Sequence, residues 1–316
     1  MKEIHQYVEN LLKNYRFQDK NIDLFSQNII KGFIIKNNII TCVVDLQNHD
    51  QQFIKSITED LITKLKTIEN VSDIKFTFTN EKETLKKIPG VNKTILISSA
   101  KGGVGKSTIT FFLAQYLTTQ GLKVGILDAD IYGPSLPTLT NISTKPEIDN
   151  GTWIPHTWNN ISLNSIGYLI DKDTSLIWRG PMISKSINQL LLNTRWKDLD
   201  YLLVDMPPGT GDIHLSISTQ FKIDGCIVIS TPHDLSISDT SRTINMYRTL
   251  SIPILGIIKN MSFIKEGNKM KYIFGTGTKL HELSEKYNTP IISEIPLLEE
   301  NKIDMSYFSN ILPYLP

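Results

Sequence analysis

The sequence predicts an α/β protein in which a mostly parallel sheet is flanked by helices and is preceded by a small α+β domain. Three observations favour this fold class. A glycine-rich stretch at residues 100–105 lies between an apolar run of strand length and a stretch of helical periodicity. Downstream, strand patterns alternate with helical patterns, which is typical of a parallel sheet with crossover helices. Upstream, the patterns of the first 80 residues predict a different order of elements: a helix, two strands, a helix and a strand.

The first 80 residues are predicted to form the small domain. Its elements follow from apolar periodicity: a helix over 1–16, strands over 29–35 and 39–46, a helix over 53–65 and a strand over 71–79. Residues 81–93 are polar and contain Pro89 and Gly90, two residue types that punctuate local structure. We therefore predict a linker over 81–93 and a larger domain over 94–316.

Residues 94–108 read TILISSAKGGVGKST and predict a strand, a glycine-rich loop and a helix in that order. Glycines let successive backbone N–H groups turn inward toward phosphate oxygens, and the first helical turn adds unpaired N–H groups. In such a phosphate-binding loop, Lys106 is expected to reach the β- and γ-phosphates and Ser107 to bind Mg²⁺. The strict pattern G-x-x-x-x-G-K-[ST] begins with glycine where this chain has Ala100. The predicted nucleotide-binding residues of the loop are Ala100, Lys101, Gly102, Gly103, Val104, Gly105, Lys106, Ser107 and Thr108.

Acidic residues follow two apolar strands of the larger domain. Together with the phosphate-binding loop, these acids predict that the larger domain is a P-loop NTPase. Asp128 and Asp130 follow the strand predicted over 123–127, and Asp205 ends the strand predicted over 201–204. The carboxyl ends of parallel strands border the ligand crevice of such a sheet. An acid in the position of Asp205 is expected to bind Mg²⁺ through water. For each of these acids, a solvated strand end is the alternative interpretation.

The remaining residues continue the alternation of strands and helices. Strands are predicted at Gly225–Ser230 and over 253–258, with a helix over 236–250 between them. Residues 141–165 are rich in Asn, Thr and Pro, so we expect a surface excursion there.

Composition limits the possible partners and the cellular location. The chain has 316 residues, of which 40% are hydrophobic and 21% charged, and its net charge is +1. That balance gives no bulk attraction to nucleic acid or to an anionic membrane, and we expect neither as a partner. Cys42 and Cys226 are the only cysteines and lie far apart, which excludes a disulfide framework, and both are interpreted as buried structural thiols. The sequence has neither a signal-peptide pattern nor an apolar run of membrane-spanning length, so a cytoplasmic location is expected.

Several short motifs carry a resemblance to a known family. The loop form K-G-G-x-G-K-[ST], with its additional Lys101, resembles the deviant Walker A motif of a group that includes partition ATPases, cell-division-positioning ATPases and nitrogenase iron protein. W-R-G-P-M at 178–182, N-M-S at 260–262 and Y-I-F-G at 272–275 resemble the Mrp/ApbC iron–sulfur cluster carriers within that group. The pattern of the first 80 residues is similar to the small domain that precedes the ATPase in many of these proteins.

The resemblance implies roles for individual residues. It implies a homodimer in which Lys101 crosses the interface and touches the nucleotide of the other subunit. Asp130 would position water and contact the Mg²⁺ shell, and Asn260 would read the adenine. Gly209 lies in a segment that resembles switch II, so its amide is expected to follow the γ-phosphate. Lys101, Lys106 and Asp130 are therefore the expected catalytic residues.

The function implied by the resemblance is an ATP-binding, Mg²⁺-dependent, ATP-hydrolysing carrier that transfers iron–sulfur clusters to apoproteins or works with assembly factors. The family's C-x-x-C pair, which follows N-M-S and holds a [4Fe–4S] cluster between two subunits, is absent from residues 263–275. The cluster is thus implied by the family alone, and no cluster ligands are identifiable. The family's final helix is also missing, so the last turns are expected to be loose or completed by a partner.

Three other functions stay open on sequence grounds. The first is a nucleotide-switch ATPase that has lost cluster binding and acts through partner assembly proteins. The second is a positioning ATPase on membrane or DNA, which predicts a basic C-terminal helix that the ending YFSNILPYLP does not supply. The third is a small-molecule kinase built on the same fold.

Overall fold

The computed structural model describes residues 2–17, 20–27, 29–36, 38–45, 50–69, 71–79, 85–169, 180–266, 269–297 and 303–316. Contacts divide the chain into two compact units, residues 1–84 and residues 85–316. The first unit has one buried apolar cluster and the second has two.

The first unit is a small α+β fold. Its elements are α1 (Lys2–Lys13), β1 (Tyr15–Phe17), β2 (Lys20–Ile22), β3 (Ile30–Lys36), β4 (Ile39–Asp45), α2 (Gln51–Leu65) and β5 (Asp73–Thr79). β4 lies at the centre of a three-stranded sheet, antiparallel to β3 and parallel to β5. The helix predicted over 1–16 ends at Lys13 instead, because Tyr15 enters a short hairpin with Ile22.

The second unit contains the remaining elements. They are β6 (Val91–Ser99), α3 (Lys106–Thr119), β7 (Val124–Asp128), α4 (Leu136–Thr140), β8 (Ile148–Asp149), β9 (Thr152–Trp153), β10 (His156–Trp158), β11 (Ile161–Ser165), α5 (Gly180–Asn193), β12 (Leu199–Asp205), α6 (Asp212–Gln220), β13 (Gly225–Ser230), α7 (Asp234–Thr249), β14 (Ile254–Lys259), β15 (Ile264–Glu266), β16 (Lys269–Lys271), α8 (Thr278–Lys286) and β17 (Ile291–Glu294). Short 3₁₀ turns lie at Ile166–Tyr168, Met305–Phe308 and Leu312–Tyr314.

An eight-stranded sheet organises the second unit. The strand order is β10-β11-β7-β12-β6-β13-β14-β17, and every pair is parallel except β10 with β11. Side chains of β6 alternate between the two apolar clusters, with Leu96 in one and Ile95 and Ile97 in the other. Residues of α5, α6, α7 and α8 fill the first cluster, and residues of α3 and α4 fill the second. The predicted mostly parallel sheet with flanking helices is thus confirmed.

The predicted linker over 81–93 extends too far toward the C-terminus. β6 begins at Val91, and Lys86 already pairs with Phe221 in a β-bridge of the second unit. Gly90 has a φ of +71°, and a Cβ there would lie 1.9 Å from the carbonyl oxygen of Trp196. The Pro-Gly pair therefore forms a tight turn into the sheet, which sequence punctuation does not distinguish from a linker. Residues 81–84 lie outside the described residues.

The surface excursion predicted over 141–165 is wrong for its last part. Residues 161–165 form β11, which pairs with β7 in the main sheet, and the side chains of Ile161 and Leu163 are fully buried. The Asn-rich composition reflects turns instead, because Asn141, Asn150 and Asn159 all have positive φ.

The C-terminal turns pack into the core, which corrects the expectation that they are loose. Phe308 and Ile311 are fully buried in the cluster that α3 also fills, and the Phe308 ring centroid lies 6.1 Å from that of Tyr116. Within the described ranges, no helix combines the length and apolar character needed to cross a bilayer.

Candidate functional site

The glycine-rich loop joins the C-terminal end of β6 to the N-terminus of α3. Gly103 and Gly105 have φ values of +78° and +85°, a region that L-residues with a Cβ rarely adopt. At Gly105 a Cβ would also lie 2.3 Å from Nδ2 of Asn260. Nδ2 of Asn260 donates a hydrogen bond to the carbonyl oxygen of Val104 at 2.8 Å. Asn260, at the end of β14, therefore holds the loop in the structure, and its expected contact with adenine stays a prediction.

Lys106 lies between two of the predicted acids. Its Nζ is 2.6 Å from Oδ1 of Asp205 and 3.5 Å from Oδ2 of Asp130. All three side chains are nearly inaccessible to solvent, at 6%, 2% and 11% exposed for Lys106, Asp205 and Asp130. A buried charge is stable only when it is paired, so the lysine and the two carboxylates stabilise one another.

Asp205 shares its carboxylate among several donors. Oδ1 of Asp205 accepts from Lys106 and lies 3.3 Å from the hydroxyl of Thr110 on α3. Burial raises the pKa of Asp205, although the Lys106 cation opposes that shift. Oγ of Ser107 lies 3.5 Å from Nζ of Lys106. Ser107 and Asp205, the two predicted Mg²⁺ ligands, therefore lie on the same lysine. Hydroxyl and carboxylate oxygens are the kind of donors that Mg²⁺ prefers, and the expectation that Ser107 and Asp205 bind Mg²⁺ stays a prediction.

Asp128 has a structural environment that differs from that of Asp130. Its carboxylate accepts hydrogen bonds from the backbone N–H groups of Asp130, Ser135 and Leu136 and from the hydroxyl of Ser165. Burial, with the nearby Asp205 charge as the second cause, raises the pKa of Asp128 to about 7. Asp128 thus fixes the turn that presents Asp130, which is the acid that faces Lys106.

A cavity of about 370 Å³ opens in front of the loop. It is lined by Ser99, Lys101, Gly102, Gly103, Gly105, Lys106, Ser107, Thr108, Asp130, Tyr132, Gly133, Ser135 and Pro208. A second cavity of about 270 Å³ lies on the other side of the loop, where Val104 and Met261 contribute to the lining. All of the loop residues predicted for phosphate binding except Ala100 therefore line one of these two cavities.

Lys101 contacts a residue that the sequence patterns did not single out. Its Nζ lies 2.9 Å from Oδ2 of Asp239 on α7, and the Lys101 side chain is 40% exposed. Asp239 also pairs with Arg242 one turn later. Because Asp239 lies mid-helix without a motif, only the folded arrangement of α7 beside the loop reveals it.

The segment after β12 lies against the end of β6 and the start of the loop. The Gly209 N–H, expected to follow the γ-phosphate, donates to the carbonyl oxygen of Ser99 at 2.9 Å. Gly209 has a φ of +97°, and Pro208 lies against Gly102 of the loop. The Gly209 amide is thus paired within the protein, and its expected contact with the γ-phosphate stays a prediction.

The region where the resembling family has its C-x-x-C pair forms the β15–β16 hairpin. Cys42 and Cys226, the two cysteines of the sequence, are fully buried elsewhere, as predicted. Burial raises the pKa of Cys42 to about 12 and raises that of Cys226 as well. Among the described residues, no group of three or more His, Cys, Asp or Glu side chains is placed to hold a metal ion. Trp178 and Arg179 of the W-R-G-P-M motif lie outside the described residues, and α5 begins at Gly180.

Comparisons with known proteins agree on one family. Residues 90–307 match the ParA family model described as NUBPL iron-transfer P-loop NTPase. The iron–sulfur cluster carrier protein of Rickettsia felis is 40% identical over 308 residues, covering 95% of this chain and 93% of that protein. The Escherichia coli K12 protein of the same name is 41% identical over 253 residues, covering 77% and 68%.

A solved structure supports the same grouping. The nucleotide-binding protein from Archaeoglobus fulgidus, solved in complex with ADP and with cobalt found, is 34% identical with a TM-score of 0.60. The match covers 73% of this chain and 91% of that chain. The chain therefore belongs to the family of NUBPL iron-transfer P-loop NTPases.

Proposed function

We propose that the chain is a Mg²⁺-dependent ATPase that works in the transfer of iron–sulfur clusters to apoproteins. The observation that carries the ATPase part is the buried group of Lys106, Asp205 and Asp130 beside a glycine-rich loop that lines a cavity of about 370 Å³. Such a group offers a cation to phosphate, oxygens to a metal ion and a carboxylate beside the reacting phosphoryl group. The part that concerns clusters is supported by the names of the relatives.

Each residue of the group has a separate task in hydrolysis. Lys106 moves its Nζ from the two carboxylates to the β- and γ-phosphate oxygens. Asp205 and Ser107 would hold Mg²⁺, and Asp130 would orient the attacking water. Mg²⁺ supplies neutralisation of the charge on the phosphate oxygens. The loop amides complete the cradle, and Asn260 contacts the adenine once the nucleotide is seated.

Lys101 is proposed to complete the site of a second copy of the chain. Its side chain reaches Asp239 of its own chain but is 40% exposed, so it is accessible to a partner. A lysine brought to the phosphates from a partner resembles the in-trans cations that raise phosphoryl-transfer rates by roughly 10³ to 10⁵. The proposal thus includes a homodimer that forms around two nucleotides.

The chain's own residues do not fit an iron–sulfur cluster as cargo. Clusters are bound by thiolates, and both cysteines of this chain are fully buried with raised pKa. We therefore derive no step in which this chain's thiols hold a cluster. This observation favours a second candidate function, a nucleotide-switch ATPase that acts through assembly proteins which supply the thiolates.

Measuring phosphate release tests the ATPase proposal. Lys106→Ala and Asp130→Ala are expected to abolish Mg²⁺-dependent turnover, and Lys123→Ala serves as the control because Lys123 lies exposed before β7. Since Lys106→Ala leaves two buried carboxylates without their cation, the folding of each variant is checked by thermal melting. Undiminished turnover in both folded variants would refute the proposed site.

Iron content separates the two candidate functions. Anaerobic reconstitution with iron and sulfide is followed by iron counting and visible absorption. A stoichiometric cluster on the chain alone would remove the second candidate. A chain without iron that binds an assembly protein in ATP and not in ADP would support the second candidate.

A further inference from the structure

His214 on α6 lies behind the nucleotide site and is 1% exposed. Its Nδ1 is 2.8 Å from the hydroxyl oxygen of Tyr247 on α7. Its Nε2 is 3.0 Å from the carbonyl oxygen of Pro207, in the segment that follows β12. One buried ring therefore joins α6, α7 and this segment. None of the sequence motifs singles out His214.

The two hydrogen bonds fix the tautomer of the ring. A carbonyl oxygen only accepts, so Nε2 of His214 must carry the proton and donate to Pro207. Nδ1 is then the acceptor for the Tyr247 hydroxyl. Protonation of Nδ1 would remove that acceptor, and burial lowers the pKa of His214 to about 4, which agrees with a neutral ring.

The carbonyl of Pro207 is one of the backbone groups that restrain the segment after β12. Pro207 lies two residues after Asp205 and two residues before Gly209. The N–H of Met206 is held by the carbonyl of Ile97 at 3.0 Å, whereas proline has no N–H to offer. The bond from His214 is therefore the next backbone restraint after Met206. Beyond it, the restraint at Gly209 is the bond that nucleotide binding must break.

At its other end, the link reaches Lys101, the first lysine of the glycine-rich loop. Tyr247 and Asp239 both belong to α7, eight residues or about 12 Å apart along the helix axis. Asp239 pairs with Lys101, so α7 contacts both the phosphate-binding loop and, through His214, the segment at Pro207. Contacts with α7 would therefore resist movement of the phosphate-binding loop and movement of the segment at Pro207.

We propose that His214 is a positioning residue that links Pro207, in the segment after β12, to Tyr247 on α7. Nucleotide-dependent movement is thereby confined to residues 208–211, and Asp205 keeps its position. The effect on hydrolysis rests on the ATPase function proposed above. His214 acts through Pro207 and is not among the residues that line the cavity in front of the loop. The positioning is measured in the absence of nucleotide, separately from hydrolysis.

Two amide substitutions separate the two hydrogen bonds of the ring. His214→Gln places an amide nitrogen near the position of Nε2 and retains the donor to Pro207. His214→Asn reaches only the position of Nδ1, so it retains an acceptor for Tyr247 and loses Pro207. Both variants carry a carboxamide, and the glutamine side chain is longer by one methylene group.

Kinetics and hydrogen exchange supply the two measurements. His214→Asn is expected to lower kcat about tenfold with KM for ATP changed less than about twofold, and His214→Gln to restore kcat within about threefold. In the nucleotide-free chain, deuterium uptake over residues 206–211 is expected to be about fivefold faster in His214→Asn and unchanged in His214→Gln. A merely structural role would not produce rescue by glutamine in both measurements.

The outcomes distinguish this inference from the ATPase proposal. Wild-type protein without ATP turnover refutes the proposed function, whatever the exchange shows. Equal uptake over residues 206–211 in His214→Asn and wild type overturns the inference, whatever the turnover. If His214→Asn does not fold, Tyr247→Phe removes only the hydroxyl that orients the ring. Faster uptake in the same segment is then expected, and unchanged uptake overturns the inference.

Discussion

Single residues at the candidate site are held by partners within the protein. Lys106 neutralises Asp205 and Asp130, and the Gly209 N–H donates to Ser99. These contacts keep buried charges paired and a flexible glycine ordered. In the proposed function, the same groups become available to phosphate and Mg²⁺ when these contacts are exchanged.

Gly105→Ala tests how closely the loop packs against Asn260. A Cβ at Gly105 would meet Nδ2 of Asn260 at 2.3 Å, whereas Gly121 has a similar φ of +82° with open space around it. Gly121→Ala should cost about 1–2 kcal/mol of unfolding free energy from backbone strain alone. Gly105→Ala should cost about 1–3 kcal/mol more, because Asn260 loses Val104, and should lose binding of a fluorescent ATP analogue. Equal losses of stability in the two variants on urea unfolding would contradict this packing.

The pKa of His214 makes stability depend on pH. The pKa falls from 6.5 to about 4 on folding, so between these values the unfolded chain binds a proton that the folded chain does not. The free energy of unfolding should therefore rise with pH across this window, by about 3 kcal/mol for this group, and be constant in this respect above it. Urea unfolding measures the effect, and the curve of His214→Gln should be shallower. Parallel curves would rule out the shift.

The sequence predicts the centre of the site better than its surroundings. Lys106 and Asp205 come together because their positions follow from strand ends in one parallel sheet. Asp239 and His214 lie within helices whose patterns show only which face is apolar. Their contacts with Lys101 and Pro207 depend on how α6 and α7 pack, which local periodicity does not determine.

At the scale of elements, apolar runs are predicted well and short strands are not. β6, β13 and β14 were predicted because buried parallel strands are continuous β-branched runs. β11 was missed because the turns before it dominate the composition of residues 141–160. The β1–β2 hairpin was missed because each strand has three residues, too few to show a period.

Phe308→Ala tests whether the C-terminal turns are part of the core. The side chain is fully buried beside Tyr116 of α3, whereas Tyr314 is 40% exposed. Phe308→Ala should lower the unfolding free energy by about 3–5 kcal/mol, and Tyr314→Ala by less than about 0.5 kcal/mol. Both values come from urea unfolding. A loss below about 1 kcal/mol for Phe308→Ala would mean that the tail is not packed as described.

At the scale of the whole molecule, the proposed homodimer distributes each site over two chains. If Lys101 acts on the nucleotide of its partner, Lys101→Ala and Asp130→Ala chains are each inactive alone. In a mixed dimer, one site has an intact Asp130 and receives Lys101 from the partner. Random pairing should therefore restore about a quarter of wild-type turnover on mixing. Absence of recovery, with mixed dimers demonstrated by differential tags, would contradict action across the interface.

In the proposed site, the loop and Lys106 bind a nucleoside triphosphate with Mg²⁺. Isothermal titration calorimetry of the full chain with ATP and Mg²⁺ measures this binding, with Lys106→Ala as the matched variant. We expect saturable heat with one nucleotide per chain and strongly weakened binding in Lys106→Ala. Absence of binding heat for both ATP and ADP with the folded wild-type chain would contradict it.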